Sequence, residues 1–345
     1  MQAGSKPSML AGAALASHLP ASMFASAALA ASPSDSGTAF DYRQTSLSRW
    51  RCLESDLGAE LHQFAQNRSL SGLLEAWQAC EELHFTSVDE DLAPHLAAGL
   101  QLRAEAAAAA GLGEATNYSA LRLLNLDGGA LRDAGALALA PALQLQPALR
   151  ALHAHNNQVR DEGARALAES LEAHSTLSTL DLNSNFVGDG GAKAIARLLK
   201  GDSKAPALAE LLLYDNRIGP HGARLLGEAA QQHPTLRLLH LNGNNVGDSG
   251  AKALAGAVKH ARALDSLYLF SANVGESGAK ALLDALKTPK PIPLRALELG
   301  GNPRIKAETL AAIRARLGAP SDATPFDDAG RTGVFLASSA DKGEL

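Results

Sequence analysis

From Leu121 to about Leu310 the chain repeats itself, and this limits what it can fold into more than any other feature. Segments with one shared pattern start at Leu121, Leu149, Leu177, Leu208, Leu236, Leu264 and Leu294, separated by 28, 28, 31, 28, 28 and 30 residues. Representative copies read LSTLDLNSNFVGDGGA from Leu177 and LRLLHLNGNNVGDSGA from Leu236. The shared pattern is L-x-x-L-x-L-x-x-N-x-V/I/L-x-x-x-G-A, followed by a run such as AKALAGAVKHA. Seven copies in phase make a period of this size the signature of a repeat architecture.

Each unit has a physical reading. Leu239 and Leu241 alternate with His240, the period-2 mark of a short strand with one buried face. After Gly250, Ala251, Leu254, Ala255 and Val258 recur at the i, i+3, i+4, i+7 spacing of one helix face. Asn157, Asn185, Asn216, Asn244 and Asn302 share the place just after the strand. There one side chain with both donor and acceptor groups can satisfy the backbone of its own and the adjacent unit. A single strand and helix cannot bury its own apolar face, so the units are expected to stack. The predicted fold is an α/β solenoid, a horseshoe with parallel strands on the concave face and helices on the convex face.

With a full helix in each unit of 28 to 31 residues, the chain resembles leucine-rich-repeat proteins of the ribonuclease-inhibitor-like subclass. That subclass also occurs in intracellular nucleotide-binding receptors and Ran GTPase-activating proteins. The resemblance implies noncatalytic protein recognition or, as an alternative, activation of a small GTPase through surface arginines such as Arg122, Arg132 and Arg150. None of these arginines matches a motif of that family residue by residue. Departures from the pattern are Gly129 and Ala272 in the Asn column, Ala154 in place of a Leu, and Glu308 where the other copies carry Gly.

Four segments are expected: 1–38, disordered or targeting; 39–120, an acidic helical N-terminal cap; 121–318, about seven repeats; and 319–345, a tail. Residues 1–38 are rich in Ala and Ser and could be a tail, a transit peptide or a signal sequence. Within 39–120, Leu47, Trp50, Leu53, Leu57, Leu61 and Phe64 predict one helix, and Leu74, Trp77, Cys80 and His84 a second. A third is expected from Ser87, where Glu90 completes capping-box spacing, to a stop at Gly111. Cys52 and Cys80 are the only cysteines and are read as core thiols. Two thiols make no disulfide framework, so a reducing, cytoplasmic setting is expected. The closing Lys342-Gly343-Glu344-Leu345 resembles a retrieval tetrapeptide, with Gly343 where Asp is usual, but no clear signal sequence accompanies it.

Residues 121–318 carry 23 Lys and Arg against 18 Asp and Glu. The basic residues are spread over helix positions, which fits solvated outer faces and no nucleic-acid partner. No stretch is apolar for the roughly 18 residues that a membrane span needs, and a monomer is expected.

The outward strand residues form two variable columns. One runs Asn125, His153, Asp181, Leu212, His240, Tyr268, Glu298. The other runs Asp127, His155, Asn183, Tyr214, Asn242, Phe270, Gly300. Variation on a fixed scaffold is what recognition needs. The expected partner-binding residues are His153, His155, Asp181, Asn183, Leu212, Tyr214, His240, Asn242, Tyr268, Phe270 and Glu298. Three of the four aromatic residues of the repeats lie here, at Tyr214, Tyr268 and Phe270, and are candidate hot spots. His153, His155 and Asp181 sit on adjacent strands and could meet around a metal or substrate. Without an activated nucleophile or a phosphate loop, no catalytic residue, metal or cofactor is assigned. A noncatalytic scaffold for a protein partner is the expected function.

Overall fold

In the computed structural model, the described residues are 51–53, 77, 80–85, 87–109, 120–200, 207–288 and 293–318, all within one compact unit of the chain. Nine strands form a single parallel sheet in chain order. They are β1 (Arg51–Leu53), β2 (Glu82–His84), β3 (Leu123–Asn125), β4 (Ala151–His153), β5 (Thr179–Asp181), β6 (Glu210–Leu212), β7 (Leu238–His240), β8 (Ser266–Tyr268) and β9 (Ala296–Glu298). Eight helices follow strands β2 to β9 in turn. They are α1 (Ala93–Ala109), α2 (Arg132–Gln144), α3 (Asp161–Leu171), α4 (Asp189–Lys200), α5 (Pro220–Gln232), α6 (Gly247–His260), α7 (Glu276–Leu286) and α8 (Ala307–Leu317). This is the α/β leucine-rich-repeat solenoid that the period predicts, and the strand register steps by one repeat at a time, as in Leu180↔Leu211 and Leu211↔Leu239.

The sheet reaches further toward the N-terminus than the leucine pattern does. Helical periodicity predicts helices through Leu53 and through His84, but residues 51–53 and 82–84 are strands β1 and β2. Leu83 pairs with Leu124, so Cys80-Glu81-Glu82-Leu83-His84-Phe85 is a further copy in which Cys80 and Phe85 stand where others have Leu. Both are buried, and their apolar side chains fill the same core positions. The third expected helix is present as α1, starting at Ala93 and not at Ser87. Asp89, and not Ser87, caps it, accepting N–H bonds from Asp91 (3.1 Å) and Leu92 (2.8 Å). Trp77 is helical and buried, as the second expected helix requires; the other residues of the first two expected helices before Cys80, apart from strand β1, lie outside the described residues, as do 1–38 and 319–345.

The two cysteines are not the core thiols that the sequence suggests. Cys80 is disulfide-bonded, and Cys52 is the chain's only other cysteine. Separate helices would have kept the two apart. Instead β1, which contains Cys52, lies beside β2, which Cys80 shortly precedes. A bonded Cys80 does not fit the reducing setting that two free thiols imply.

The Asn column is the ladder that the sequence implies. Asn185 Oδ1 accepts the N–H groups of Asn157 (3.1 Å) and Val159 (2.9 Å), while Nδ2 donates to the carbonyl of Ala154 at 2.8 Å. Asn216, Asn244 and Asn302 repeat the arrangement. Each such side chain satisfies buried backbone groups that would otherwise cost about 1–3 kcal/mol apiece.

Two further ladders join the repeats. Asp133, Asp161, Asp189 and Asp248 each open a helix, and each Oδ1 accepts two N–H groups from the next helix start. For Asp189 these are Gly219 and Gly222, both at 2.8 Å; Asp133, Asp161 and Asp248 do the same. At the other end of the helices, Gln146 Nε2 donates to the Leu100 carbonyl and His174 Nε2 to that of Leu143, both at 3.0 Å.

The recurrent Gly of the G-A pair is not a turn residue. Gly163, Gly191, Gly222, Gly250 and Gly278 are buried within helices. A Cβ on Gly191 would lie 2.6 Å from Val187 Cγ1 and 3.0 Å from Ala164 Cβ. Glycine here lets one helix start pack directly on the previous one.

Candidate protein-interaction surface

With Leu at the second and third pattern positions buried, the alternating strand residues face away from the helices. Three columns result: the two read from the sequence and a third at the strand entries, Leu123, Ala151, Thr179, Glu210, Leu238, Ser266 and Ala296. Of the expected residues, His153, His155, Asn183, Leu212, Tyr214, His240, Tyr268 and Phe270 are partly exposed. Asp181, Asn242 and Glu298 are buried within the same face, at 8%, 8% and 6% exposure.

The column from Asp127 to Phe270 has a two-repeat period that its variability conceals. Asp127 Oδ1 accepts the backbone N–H of His155 (2.8 Å), Asn183 Oδ1 that of Tyr214 (2.6 Å), and Asn242 Oδ1 that of Phe270 (2.6 Å). A short acceptor therefore alternates with a ring, and each acceptor fixes the backbone that carries the ring after it. Asn183 and Asn242 thus hold the surface together. The rings are what the face presents. Room for one of them comes from glycine in the following repeat: a Cβ on Gly301 would lie 3.2 Å from Phe270 Cε2.

The other column brings its aromatic groups into contact. His240 stacks on Tyr214, with centroids 5.6 Å apart and planes at 23°, and meets Tyr268 edge-on at 5.2 Å. Such pairs add about 0.5–1.5 kcal/mol beyond area burial and hold the rings rigid. Asn242 Nδ2 donates to Glu298 Oε2 at 2.8 Å across the intervening repeat. Burial pushes the Tyr268 hydroxyl above its ordinary value against an opposing hydrogen bond with Ser266, and the Glu298 and Asp265 carboxylates add to the rise.

Toward the N-terminal repeats the face is polar. His153 Nδ1 lies 3.9 Å from Asp181 Oδ2. Burial raises the Asp181 carboxyl above its ordinary range, and Asp127 adds to the rise, against the N–H of Asn183 and the two histidines. Among the described residues, no group of three or more His, Cys, Asp or Glu is placed to hold a metal ion. Asp127 and Glu210 are the functional candidates that variation alone does not single out. The alternation of acceptor and ring down the column is the signal for Asp127. Arg122 and Arg132 are ion-paired, with Glu81 at 3.2 Å and Glu90 at 2.8 Å.

A family model described as "Leucine Rich repeat" matches residues 173–196 and 232–255. The chain therefore carries leucine-rich repeats. No curated protein matches it. Among solved structures, it is similar to "Leiomodin-1 Actin-Binding Site 2 (ABS2)", 22% identical over 29% of this chain and 58% of that one, with a TM-score of 0.26. A chain in an octameric complex of Latrophilin 3, Unc5D and FLRT2 (LRR) is 17% identical over 63% and 50%, with a TM-score of 0.31. An internalin (inlF) of Listeria monocytogenes is 15% identical over 56% and 56%, with a TM-score of 0.28. The chain spans 50% to 58% of the length of these proteins. Its fold is established by its own parallel ladder. Among the described residues no helix is long and apolar enough to cross a membrane.

Proposed function

We propose that the protein is a noncatalytic scaffold that binds a protein partner on the concave, outward face of its sheet. The observation that supports this most is the joined set of half-exposed rings at Tyr214, His240, Tyr268 and Phe270 on a face that no other element of the chain covers among the described residues. Aromatic groups held rigid by stacking lose little entropy when a partner covers them, which suits them as hot spots.

The test is replacement of Tyr268 by a photo-crosslinking amino acid, with Lys252 on helix α6 as a control position. Crosslinking to one partner from Tyr268 and not from Lys252, abolished by Tyr214→Ala and Phe270→Ala in a protein with an unchanged circular dichroism spectrum, supports the reading. Equal recovery with those changes overturns it.

A further inference from the structure

Charge is segregated between the two sides of the repeats. Residues 121–318 carry 23 Lys and Arg, yet none of the 21 residues in the three outward columns is either one. Four are acidic: Asp127, Asp181, Glu210 and Glu298. Among the described residues, Asp127, Asp181 and Glu210 make no ion pair with Lys or Arg; Asp181 has only His153 at 3.9 Å. A face like this attracts cationic groups and repels phosphates.

The rings supply a second constraint, a distance. His155, Tyr214 and Phe270 stand on every second repeat, and strands lie about 4.8 Å apart, so neighbouring rings of this series are about 10 Å apart. An extended peptide crossing the strands shows side chains on one face every ~6.6 Å or ~13 Å, because successive side chains point to opposite faces. A helix repeats its face every seven residues, or about 10.5 Å. Of the extended strand and the α-helix, the α-helix matches; a polyproline II segment, with a turn of ~9.3 Å, has a similar repeat but no face of seven-residue period on which apolar and basic side chains segregate. The rim where the strands begin carries Arg122, Arg150, Arg237 and Arg295; two of these are paired, Arg122 with Glu81 and Arg237 with Asp265. Glu81 and Asp265 stand in the same rim column, so Arg150 and Arg295 alone leave it weakly cationic, which favours a cationic occupant over the ring-bearing columns.

Resting on the scaffold reading, we propose that the sheet face holds a basic amphipathic α-helix laid across the strands. Its apolar residues at i, i+7 and i+14 sit at His155, Tyr214 and Phe270, and its Lys or Arg side chains face Asp127, Asp181 and Glu210.

The probe is a fluorescent, helix-stapled 18-residue peptide with Leu at i, i+7 and i+14 and flanking Lys, titrated against the full chain by anisotropy. Two companions differ in one respect each: Leu moved to i, i+5 and i+10, or Lys replaced by Glu. The expected result is binding of the first peptide and about tenfold or greater weakening for each companion. Asp127→Asn with Asp181→Asn, or Tyr214→Ala with Phe270→Ala, weaken the first peptide to a similar degree, whereas Glu162→Gln with Glu169→Gln on α3 leave it unchanged. Equal binding of either companion, or binding that survives both pairs of face variants, overturns the proposal. So does failure of the first peptide to bind a protein whose Tyr268 crosslinks a cellular partner, and that outcome leaves the scaffold reading standing.

Discussion

Gly247 donates its backbone N–H to the carbonyl of Ala272 at 3.1 Å, with φ at +63°. At the equivalent place in four other copies, at Arg160, Gly188, Gly219 and Gly275, the N–H instead reaches the Asp of the preceding repeat. Pro220 occupies that Asp position in the repeat before Gly247, so the acceptor is missing. The first copy behaves alike: the preceding repeat has Leu92 there, and Arg132, at φ +52°, donates to the Asn157 carbonyl at 2.9 Å. Loss of the carboxylate thus forces a left-handed residue at the helix start. Glycine accepts this freely, and Arg does not. Arg132→Gly is expected to stabilise the protein by up to about 1 kcal/mol, since the relieved backbone outweighs an exposed ion pair with Glu90. A lower denaturation midpoint for this variant would count against the rule.

The close packing of helix starts gives a prediction of opposite sign. A Cβ at Gly222 would lie 2.6 Å from Asp189 Oδ1, 2.9 Å from Ala192 Cβ and 3.0 Å from Ile218 Cγ2. The carboxylate is itself fixed by two N–H bonds and cannot yield without giving them up. Gly222→Ala should cost about 2–3 kcal/mol by urea denaturation. Gly318→Ala is the control: its Cβ meets nothing within 4 Å, and only its φ of +74° opposes the change.

How much of this was legible from residues alone divides along physical lines. The inward Leu columns and the Asn ladder recur at fixed spacing, so period and chemistry agree. The copy at Cys80 to Phe85 was hidden because burial asks only for an apolar group of suitable size, which Cys80 and Phe85 satisfy while breaking the letter pattern. The Asp ladder was in view at Asp133, Asp161, Asp189 and Asp248 but joins residues some 30 apart in sequence, and only the stacked backbone shows what each carboxylate receives. On the outward face, variation at Asn183 and Asn242 resembles that at Tyr214 and Phe270. Hydrogen bonds alone separate the residues that hold from those that present.

Asp181 carries a cost consistent with a binding role. Its carboxyl is raised by burial and by Asp127, so the folded state resists its ionisation. The contribution to stability is greatest below the ordinary carboxylate range and is lost as pH rises through the raised value. Asp181→Asn keeps an acceptor for the Asn183 N–H, which Asp181 Oδ1 receives at 2.8 Å, and removes the charge. It should stabilise by about 0.5–1 kcal/mol at pH 7 and by nothing near pH 3. Thermal melts of both proteins at the two pH values measure the difference; an equal gain at both would separate the effect from charge.

The bonded Cys80 makes a chemical prediction. Iodoacetamide should leave the mass of the unfolded, unreduced protein unchanged and add two carbamidomethyl groups after reduction. Cys80→Ser should lower stability by about 2–4 kcal/mol, the usual effect of removing a crosslink from a small set of repeats. Alkylation of both cysteines without reductant would refute the assignment.

His174 is expected to make the repeats less stable in acid. It is 1% exposed, its Nε2 donates to the Leu143 carbonyl at 3.0 Å, and burial lowers its pKa below the ordinary histidine value despite nearby backbone carbonyls that oppose the shift. A base with a lowered folded pKa stabilises above its unfolded value, near 6.5, and loses that stability as pH falls, because the unfolded chain takes up the proton first. The loss is at most about 1.4 kcal/mol per pH unit. One repeat earlier Gln146 makes the same link without a titrating group, donating to Leu100. His174→Gln should therefore match the parent protein at pH 8 to within about 1 kcal/mol and lose less stability between pH 6.5 and 5. Urea midpoints at pH 8, 6.5 and 5 decide it: parallel declines for both proteins would show that another group is responsible.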